Sequence, residues 1–179
     1  MKIKLLSIIF LISFLSCSMN STTPLETVDQ VDLEKYSGKW YDIAHFPSTF
    51  LNGCKNITAE YTVTDKKYIE VFNRCEKIRN GSVKSISGKA FPVKGSNNAR
   101  LKVQFIWPFR AKYWILDIRG DYEYASVGGP NRDYAWILAR TPHPDKKIVQ
   151  EMIDTLERKG FDVSRFRWTE HDEEGKGKK

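Results

Sequence analysis

Apolar and polar residues alternate in short segments through the middle of the chain, from residue 40 to residue 141. In one segment Leu101, Val103 and Phe105 alternate with Lys102 and Gln104. A period of two places one face of a strand in a core and the other in solvent. The segments predict eight strands, over residues 40–46, 55–64, 67–75, 82–93, 99–106, 112–119, 122–128 and 133–140.

Short turns rich in Gly, Asn and Asp join most of these strands, as at residues 65–66, 95–98 and 120–121. Hairpin links between successive strands imply an antiparallel, up-and-down order. Eight strands in that order can close into a barrel, which removes the open sheet edges and has room for a filled core or one small ligand. We therefore predict an all-β fold, an eight-stranded antiparallel up-and-down barrel.

The sixth predicted strand is apolar on both faces and needs a cover outside the barrel. Its faces carry Trp114, Leu116 and Ile118 on one side and Tyr113 and Ile115 on the other. Residues 144–159 have apolar side chains at helical spacing, with Asp145 at the start and Gly160 just after the end. We predict one C-terminal α-helix packed on the outside of the barrel.

The N-terminus reads as a targeting signal. Lys2 and Lys4 precede an apolar run over residues 5–15 that is too short to cross a hydrocarbon core of about 30 Å as a helix. Ser16-Cys17 then resembles the lipobox of bacterial lipoproteins, in which cleavage precedes a lipid-modified cysteine; an ordinary signal peptide is the alternative. We predict a signal peptide over 1–16, an acylated Cys17 with a tether over 17–30, a folded domain over 31–169 and a flexible charged tail over 170–179.

Charge narrows the classes of partner. The chain has a net charge of +7, which falls to +5 when Lys2 and Lys4 are removed with the signal peptide. The basic residues are spread singly along the sequence, a pattern typical of a solvated surface, so we expect no nucleic-acid partner.

The two cysteines that follow Cys17 predict one disulfide, because an even number in an oxidising compartment favours pairing. A tight turn at residues 64–65 would place Cys54 opposite Cys75, at a Cα separation that a disulfide spans. That register also places Glu70 opposite Ala59, although the apolar neighbours of Glu70 are better inward residues. A bulge would shift the pairing and leave the cysteines diagonal.

The sequence shows little that would form a catalytic site or a metal site. His45, His143 and His171 lie far apart, so we predict surface or loop histidines and no metal site. There is no glycine-rich phosphate loop and no nucleophile with an evident base, so we predict no cofactor and no catalytic residue. We expect Asp117 to face the barrel interior. It would be either a structural carboxylate near the floor or a polar contact to a ligand head group.

Three motifs resemble the lipocalin family over residues 31–168. Gly38 and Trp40 are similar to the family's G-x-W at the first strand, Asp121 and Tyr122 to its T-D-Y turn (with glycine in place of threonine), and Arg140 to the arginine that closes the last strand. The pattern resembles the bacterial outer-membrane lipoprotein lipocalins and the apolipoprotein D-like group in particular. A buried indole under a guanidinium is a structural contact, so we expect Trp40 and Arg140 to maintain the fold.

The resemblance implies a protein that is lipid-anchored at the bacterial outer membrane through Cys17 and that binds, transports or stores fatty acids or (lyso)phospholipids in an apolar cavity. Its oligomeric state stays open. The alternatives are a lipocalin-like enzyme acting on a lipophilic substrate, which would need a second titratable group beside Asp117, and a structural envelope protein with a filled barrel. Alternation predicts a ligand-binding wall of Ala59, Tyr61, Leu101, Val103, Phe105, Tyr113, Ile115, Trp136 and Leu138.

One connection carries exposed-type aromatic residues. Trp107, Pro108, Phe109 and Arg110 join the fifth and sixth strands, and the up-and-down order places this link at the open mouth. The aromatic pair either packs on a neighbouring loop or faces lipid at the rim.

Overall fold

The structure, a computed structural model, describes residues 24–173. The predicted signal peptide, Cys17, the start of the tether and the end of the charged tail lie outside these residues.

Eight antiparallel strands form the closed barrel that the sequence predicts. Each strand pairs with the next along the chain, and the pairing of the first strand with both the eighth and the second closes the ring. The strands are β1 (Gly38–His45), β2 (Cys54–Val63), β3 (Ile69–Lys77), β4 (Val83–Pro92), β5 (Arg100–Gln104), β6 (Ala111–Arg119), β7 (Tyr124–Gly128) and β8 (Ala135–Ala139). A short segment, β9 (Arg167–Trp168), pairs with the C-terminal end of β1, at Ala44 and His45.

The two ends of the barrel differ. At the floor, a one-turn helix α1 (Leu33–Tyr36) precedes β1, and the indole of Trp40 is fully buried. Arg140 lies over that indole, with its guanidinium carbon 3.8 Å from the ring centroid, and donates to the backbone carbonyls of Lys39, Ser37 and Lys35. The opposite end is the mouth, formed by the connections over residues 46–53, 78–82, 105–110 and 129–134.

The predicted helix is α2 (Lys146–Arg158), and it packs on the outside of the barrel. Asp145 begins it by accepting the backbone N–H of Lys147 at 2.7 Å, and Gly160 follows its end with a φ of +84°, a conformation that glycine adopts without strain. Its buried residues are Val149, Met152, Ile153 and Leu156. This stripe covers apolar outward residues of β1, β6, β7 and β8, which explains why β6 is apolar on both faces.

A bulge in β6 corrects two predictions about its faces. The pairing of β6 with β7 shifts between Ile115 and Asp117, so the strict alternation fails there. Ile118 packs against the interior cluster, although alternation assigns it to the outer face. Asp117 does not face the interior: it accepts the Arg119 Nε–H at 2.8 Å, and Arg119 also donates to Glu151 of α2 at 2.8 Å.

Cys54 and Cys75 form the predicted disulfide, but the register behind the prediction is wrong. Cys54 pairs with Lys77 and Ala59 with Asn73, so the two cysteines are diagonal, with Cα atoms 5.7 Å apart. The turn is longer than two residues, since it runs from Thr64 to Tyr68 and is closed by the Thr64 hydroxyl, which donates to the Tyr68 carbonyl at 2.7 Å. A bulge between residues 55 and 58 adds a further shift.

The packed part of the chain extends at both ends beyond residues 31–169. Leu25 is buried in the cluster between α2 and the barrel, and the Val28 N–H donates to the Ile115 carbonyl at 3.0 Å. At the other end, Asp172 accepts from Lys55 and from the Asn56 side-chain amide, each at 2.8 Å.

Candidate functional site

A cavity of about 370 Å³ lies in the half of the barrel nearest the mouth and opens there. Its size is within the range of small-molecule sites, which are mostly apolar with a few polar groups. The walls come from inward residues of all eight strands, and the connection over residues 46–53 supplies Phe50 and Leu51 at the rim. The barrel is therefore not filled, which contradicts the premise of the alternative interpretation, a structural envelope protein with a filled barrel.

Seven of the nine predicted wall residues line this cavity. They are Ala59, Tyr61, Val103, Phe105, Tyr113, Trp136 and Leu138. The other two, Leu101 and Ile115, do not line it: both are fully buried in the cluster between the cavity and the Trp40 floor. They point inward as alternation predicts, but they lie in the part of the barrel that side chains fill.

Three tyrosine hydroxyls meet at the base of the cavity. Tyr113 contacts the hydroxyl of Tyr36 at 2.8 Å and that of Tyr61 at 2.9 Å. Burial raises the pKa of Tyr61 to about 12 and raises the pKa of Tyr113 and Tyr36 well above 10, so all three are neutral at physiological pH. Two contacts use two of the three hydroxyl protons, which leaves one proton to donate to a further group.

A buried carboxylate stands in the wall of the cavity near the mouth. Asp42 accepts the Thr169 hydroxyl at 3.0 Å and lies 3.1 Å from Nδ1 of His45. His45 is itself buried, which corrects the prediction of a surface or loop histidine: it ends β1 and is covered by the segment that includes β9. These contacts hold β1 to residue 169, a structural role for both side chains.

Asn73 is the polar wall residue without a visible partner. It lies on β3 opposite Ala59 and lines the cavity, and its Oδ1 atom is buried without a hydrogen bond to any part of the chain that the structure describes. A buried amide oxygen without a partner is unfavourable, by roughly 1–3 kcal/mol. A ligand or water that donates a hydrogen bond here would remove that cost.

The aromatic connection at the mouth is exposed and does not pack onto a neighbouring loop. Trp107 is 82% exposed and Phe109 75%. The side chain of Phe105, which precedes them, turns inward over Gly88, where an added Cβ would approach it to 2.6 Å. The connection thus presents one aromatic residue to the cavity and two to the outside.

Three cavity residues escaped the sequence prediction, and a sequence signal existed for two of them. Asp42 lies two residues after Trp40 and shares its inward face. Asn73 lies between the inward residues Val71 and Cys75 at the same period of two. Neither Asp42 nor Asn73 belongs to the predicted wall, because that prediction contains only apolar or aromatic residues of the inward face. Phe50 follows no regular period, so its position in the wall had no sequence signal.

Other kinds of site find no support in residues 24–173. The structure there brings together no group of three side chains that could hold a metal ion, and contains no helix long and apolar enough to cross a membrane.

Comparison with known proteins shows the family. The lipocalin-like domain matches residues 31–171. The chain is 37% identical over 161 residues to the outer membrane lipoprotein Blc of Escherichia coli K12, covering 88% of this chain and 91% of that protein. It is 35% identical over 153 residues to apolipoprotein D of Macaca fascicularis, covering 80% and 79% of the two chains.

The fold comparison agrees with the sequence comparison. Insecticyanin of the tobacco hornworm Manduca sexta superposes with a TM-score of 0.68 at 23% identity, covering 84% of this chain and 86% of that one. Because the sequence identity is low, this superposition supports the fold alone. Together with the family match and the relatives above 30% identity, the open cavity and the Trp40–Arg140 floor place this chain in the lipocalin family, whose members are typically binding or transport proteins.

Proposed function

We propose that the cavity holds the acyl chain of a fatty acid or a (lyso)phospholipid, and that acylated Cys17 anchors the protein at the bacterial outer membrane. The observation that carries the proposal is the largely apolar cavity, open at one end only. An acyl chain is narrow and flexible, and each of its methylenes that leaves water for the cavity contributes up to about 0.8 kcal/mol.

The polar groups of the cavity favour a ligand with a hydrogen-bonding end. A pure hydrocarbon would leave both the Asn73 amide and the remaining tyrosine proton unsatisfied. A carboxylate, hydroxyl or phosphate group could accept from the tyrosine cluster, and a hydroxyl could also donate to Asn73. Fatty acids and lysophospholipids combine such groups with a single chain.

Two features support the location. Ser16-Cys17 follows a short apolar run, as at a lipobox. The bacterial relatives, Blc of Escherichia coli and of Vibrio cholerae, are named outer membrane lipoproteins, and the second is 38% identical over 143 residues.

No catalytic step is part of this proposal. The enzyme alternative required a titratable partner for Asp117 inside the barrel, and Asp117 lies outside it. Asp42, which does line the cavity, is held by Thr169 and His45.

A cavity-blocking variant tests the proposal. Ala59 lines the cavity, so Ala59→Phe should fill part of it and weaken binding of a fluorescent fatty acid at least tenfold, measured by titration and by competition with unlabelled fatty acid and lysophospholipid. Ser85→Phe adds the same ring to an exposed position of β4 and is the matched control.

Thermal unfolding of both variants separates lost binding from lost folding. If Ala59→Phe folds and binds the probe as tightly as Ser85→Phe and the natural chain, the cavity is not the lipid site. If the natural chain binds neither the probe nor its competitors, the ligand class is wrong.

A further inference from the structure

The large apolar side chains that the described residues leave exposed are gathered at one end of the barrel. Ile106, Trp107 and Phe109 lie on the connection between β5 and β6 at the mouth, and Trp168 lies in β9 beside the mouth end of β1. Ile78 and Val83 flank the connection between β3 and β4, also at the mouth. Phe72, on the outer wall, is the exception. Three large apolar side chains exposed on one short connection, Ile106, Trp107 and Phe109, indicate an interaction surface.

Two of the connections at the mouth are basic. Residues 77–84 and 104–112 contain Lys77, Arg79, Lys84, Arg110 and Lys112 and no acidic residue. Aromatic and aliphatic residues interspersed with lysine and arginine match the interface of an anionic bilayer, where rings lie among the head groups and cations contact phosphates. A partner of this chemistry satisfies both the apolar and the charged groups of the mouth.

The course of the N-terminal segment gives an independent indication. Val31 donates to the Asn97 carbonyl at the floor, and from there the chain runs back towards the mouth. The Glu26 carbonyl accepts from Lys159, whose own carbonyl accepts from Arg132 in the mouth connection between β7 and β8. The described chain therefore begins near the mouth end of α2.

The distance to Cys17 is short. Seven residue steps separate Cys17 from Pro24, and a chain of that length spans at most about 25 Å when fully extended. An acyl group on Cys17 would thus hold the membrane on the mouth side of the barrel.

We propose that the barrel docks mouth-down on an anionic bilayer, with Trp107 and Phe109 among the head groups and the basic residues on lipid phosphates. The orientation rests in part on the proposed anchor at Cys17, whereas the patch at the mouth does not depend on it. A lipid could then move between the bilayer and the cavity without crossing bulk water.

Depth-dependent quenching tests this orientation on the full anchored chain. Ser82→Cys places a fluorophore at the mouth and Lys66→Cys places one in the β2–β3 turn at the floor. In vesicles of phosphatidylglycerol and phosphatidylethanolamine with nitroxide-labelled lipid, the label at residue 82 should be quenched several-fold more than the label at residue 66. Replacing both lipids by phosphatidylcholine should reduce the difference. Equal quenching, or stronger quenching at residue 66, would overturn the proposal.

A matched pair of variants identifies the surface. Trp107→Ser with Phe109→Ser should reduce quenching of the residue 82 label, whereas Tyr68→Ser, which removes a ring from the β2–β3 turn at the floor, should not. If the double variant leaves quenching unchanged but abolishes self-association in sedimentation, the patch binds a second copy and the membrane proposal is wrong. Fatty-acid titration of the same proteins keeps the two proposals apart, because failed docking with intact binding rejects only the orientation.

Discussion

Trp40 and Arg140 close the floor through one stacked contact, and the surrounding hydrogen bonds show why these residue types are needed. The indole donates to the Tyr36 carbonyl at 2.8 Å, and the guanidinium satisfies carbonyls of the segment around α1. Lysine could not reach several carbonyls while stacking on a ring, because it lacks the planar fork of donors. The pair joins the start of the barrel to its end.

Replacing the buried indole should be costly. We expect Trp40→Ala to lower the free energy of unfolding by about 3–5 kcal/mol, because it removes a fully buried ring and leaves a cavity. Trp107→Ala removes the same side chain from an exposed position and should change it by less than about 0.5 kcal/mol. Urea unfolding at neutral pH measures both, and similar losses would show that Trp107 belongs to the core.

The tyrosine cluster should make stability fall in alkali. Burial raises the pKa of Tyr61 to about 12, whereas a phenol in the unfolded chain titrates near 10. The unfolded state therefore loses its proton first, so the contribution of Tyr61 is complete below pH 10 and is lost as the pH rises to about 12. Between pH 9 and 11 the natural chain should lose on the order of 1 kcal/mol more than Tyr61→Phe, measured by denaturant unfolding. Identical losses would place the Tyr61 hydroxyl in solvent.

The strands, their antiparallel order and the helix could be predicted because their periods and short turns are clear, whereas the register between neighbouring strands could not. Every predicted strand exists, and α2 begins and ends near its expected caps. One error follows from a bulge: Ile118 and Asp117 exchange faces after the shift in β6. The other follows from a turn, since the connection after Val63 is longer than two residues and moves the β2–β3 register. A bulge adds a residue without a sequence signature, and tertiary packing decides where it lies. Tertiary packing also decides how far the cavity reaches into the barrel. Alternation therefore identified Leu101 and Ile115 as inward residues, but it could not show that they lie below the cavity, in the filled part.

The connection between β5 and β6 should affect lipid uptake more than stability. Replacing Trp107 and Phe109 together by serine removes little buried surface, so the melting temperature should stay nearly unchanged, in contrast to Trp40→Ala. Uptake of a fluorescent fatty acid from vesicles should slow, while the affinity for free ligand in solution stays similar. A double variant that unfolds as readily as Trp40→Ala would show that the connection is part of the core.

The molecule as a whole combines a closed floor, an open and largely apolar cavity, and a rim with exposed apolar side chains. The filled lower half, with Leu101 and Ile115 above Trp40, supplies the rigid scaffold, and α2 stabilises one side of it from outside. The cavity occupies the half nearest the mouth, which is also where the exposed aromatic residues and the start of the described chain lie. The packed core and the cavity thus occupy different halves of one barrel.

Membrane attachment should depend on Cys17. Cys17→Ala removes the only thiol that a lipobox would modify, so a substantial part of the protein should move from the membrane to the soluble fraction after cell lysis. One acyl chain anchors weakly, and firm attachment of the natural protein therefore implies two or more chains. An unchanged distribution after Cys17→Ala, detected by immunoblot of both fractions, would contradict acylation at this position.

Native mass spectrometry of the full chain purified from membranes shows whether the barrel holds a fatty acid or a (lyso)phospholipid in its cavity. The natural protein should retain a non-covalent lipid that collisional activation releases at the mass of a fatty acid or a (lyso)phospholipid, and Ala59→Phe should retain little of it. If the natural protein carries no such lipid, or if Ala59→Phe carries as much, the cavity is not the site of a lipid ligand.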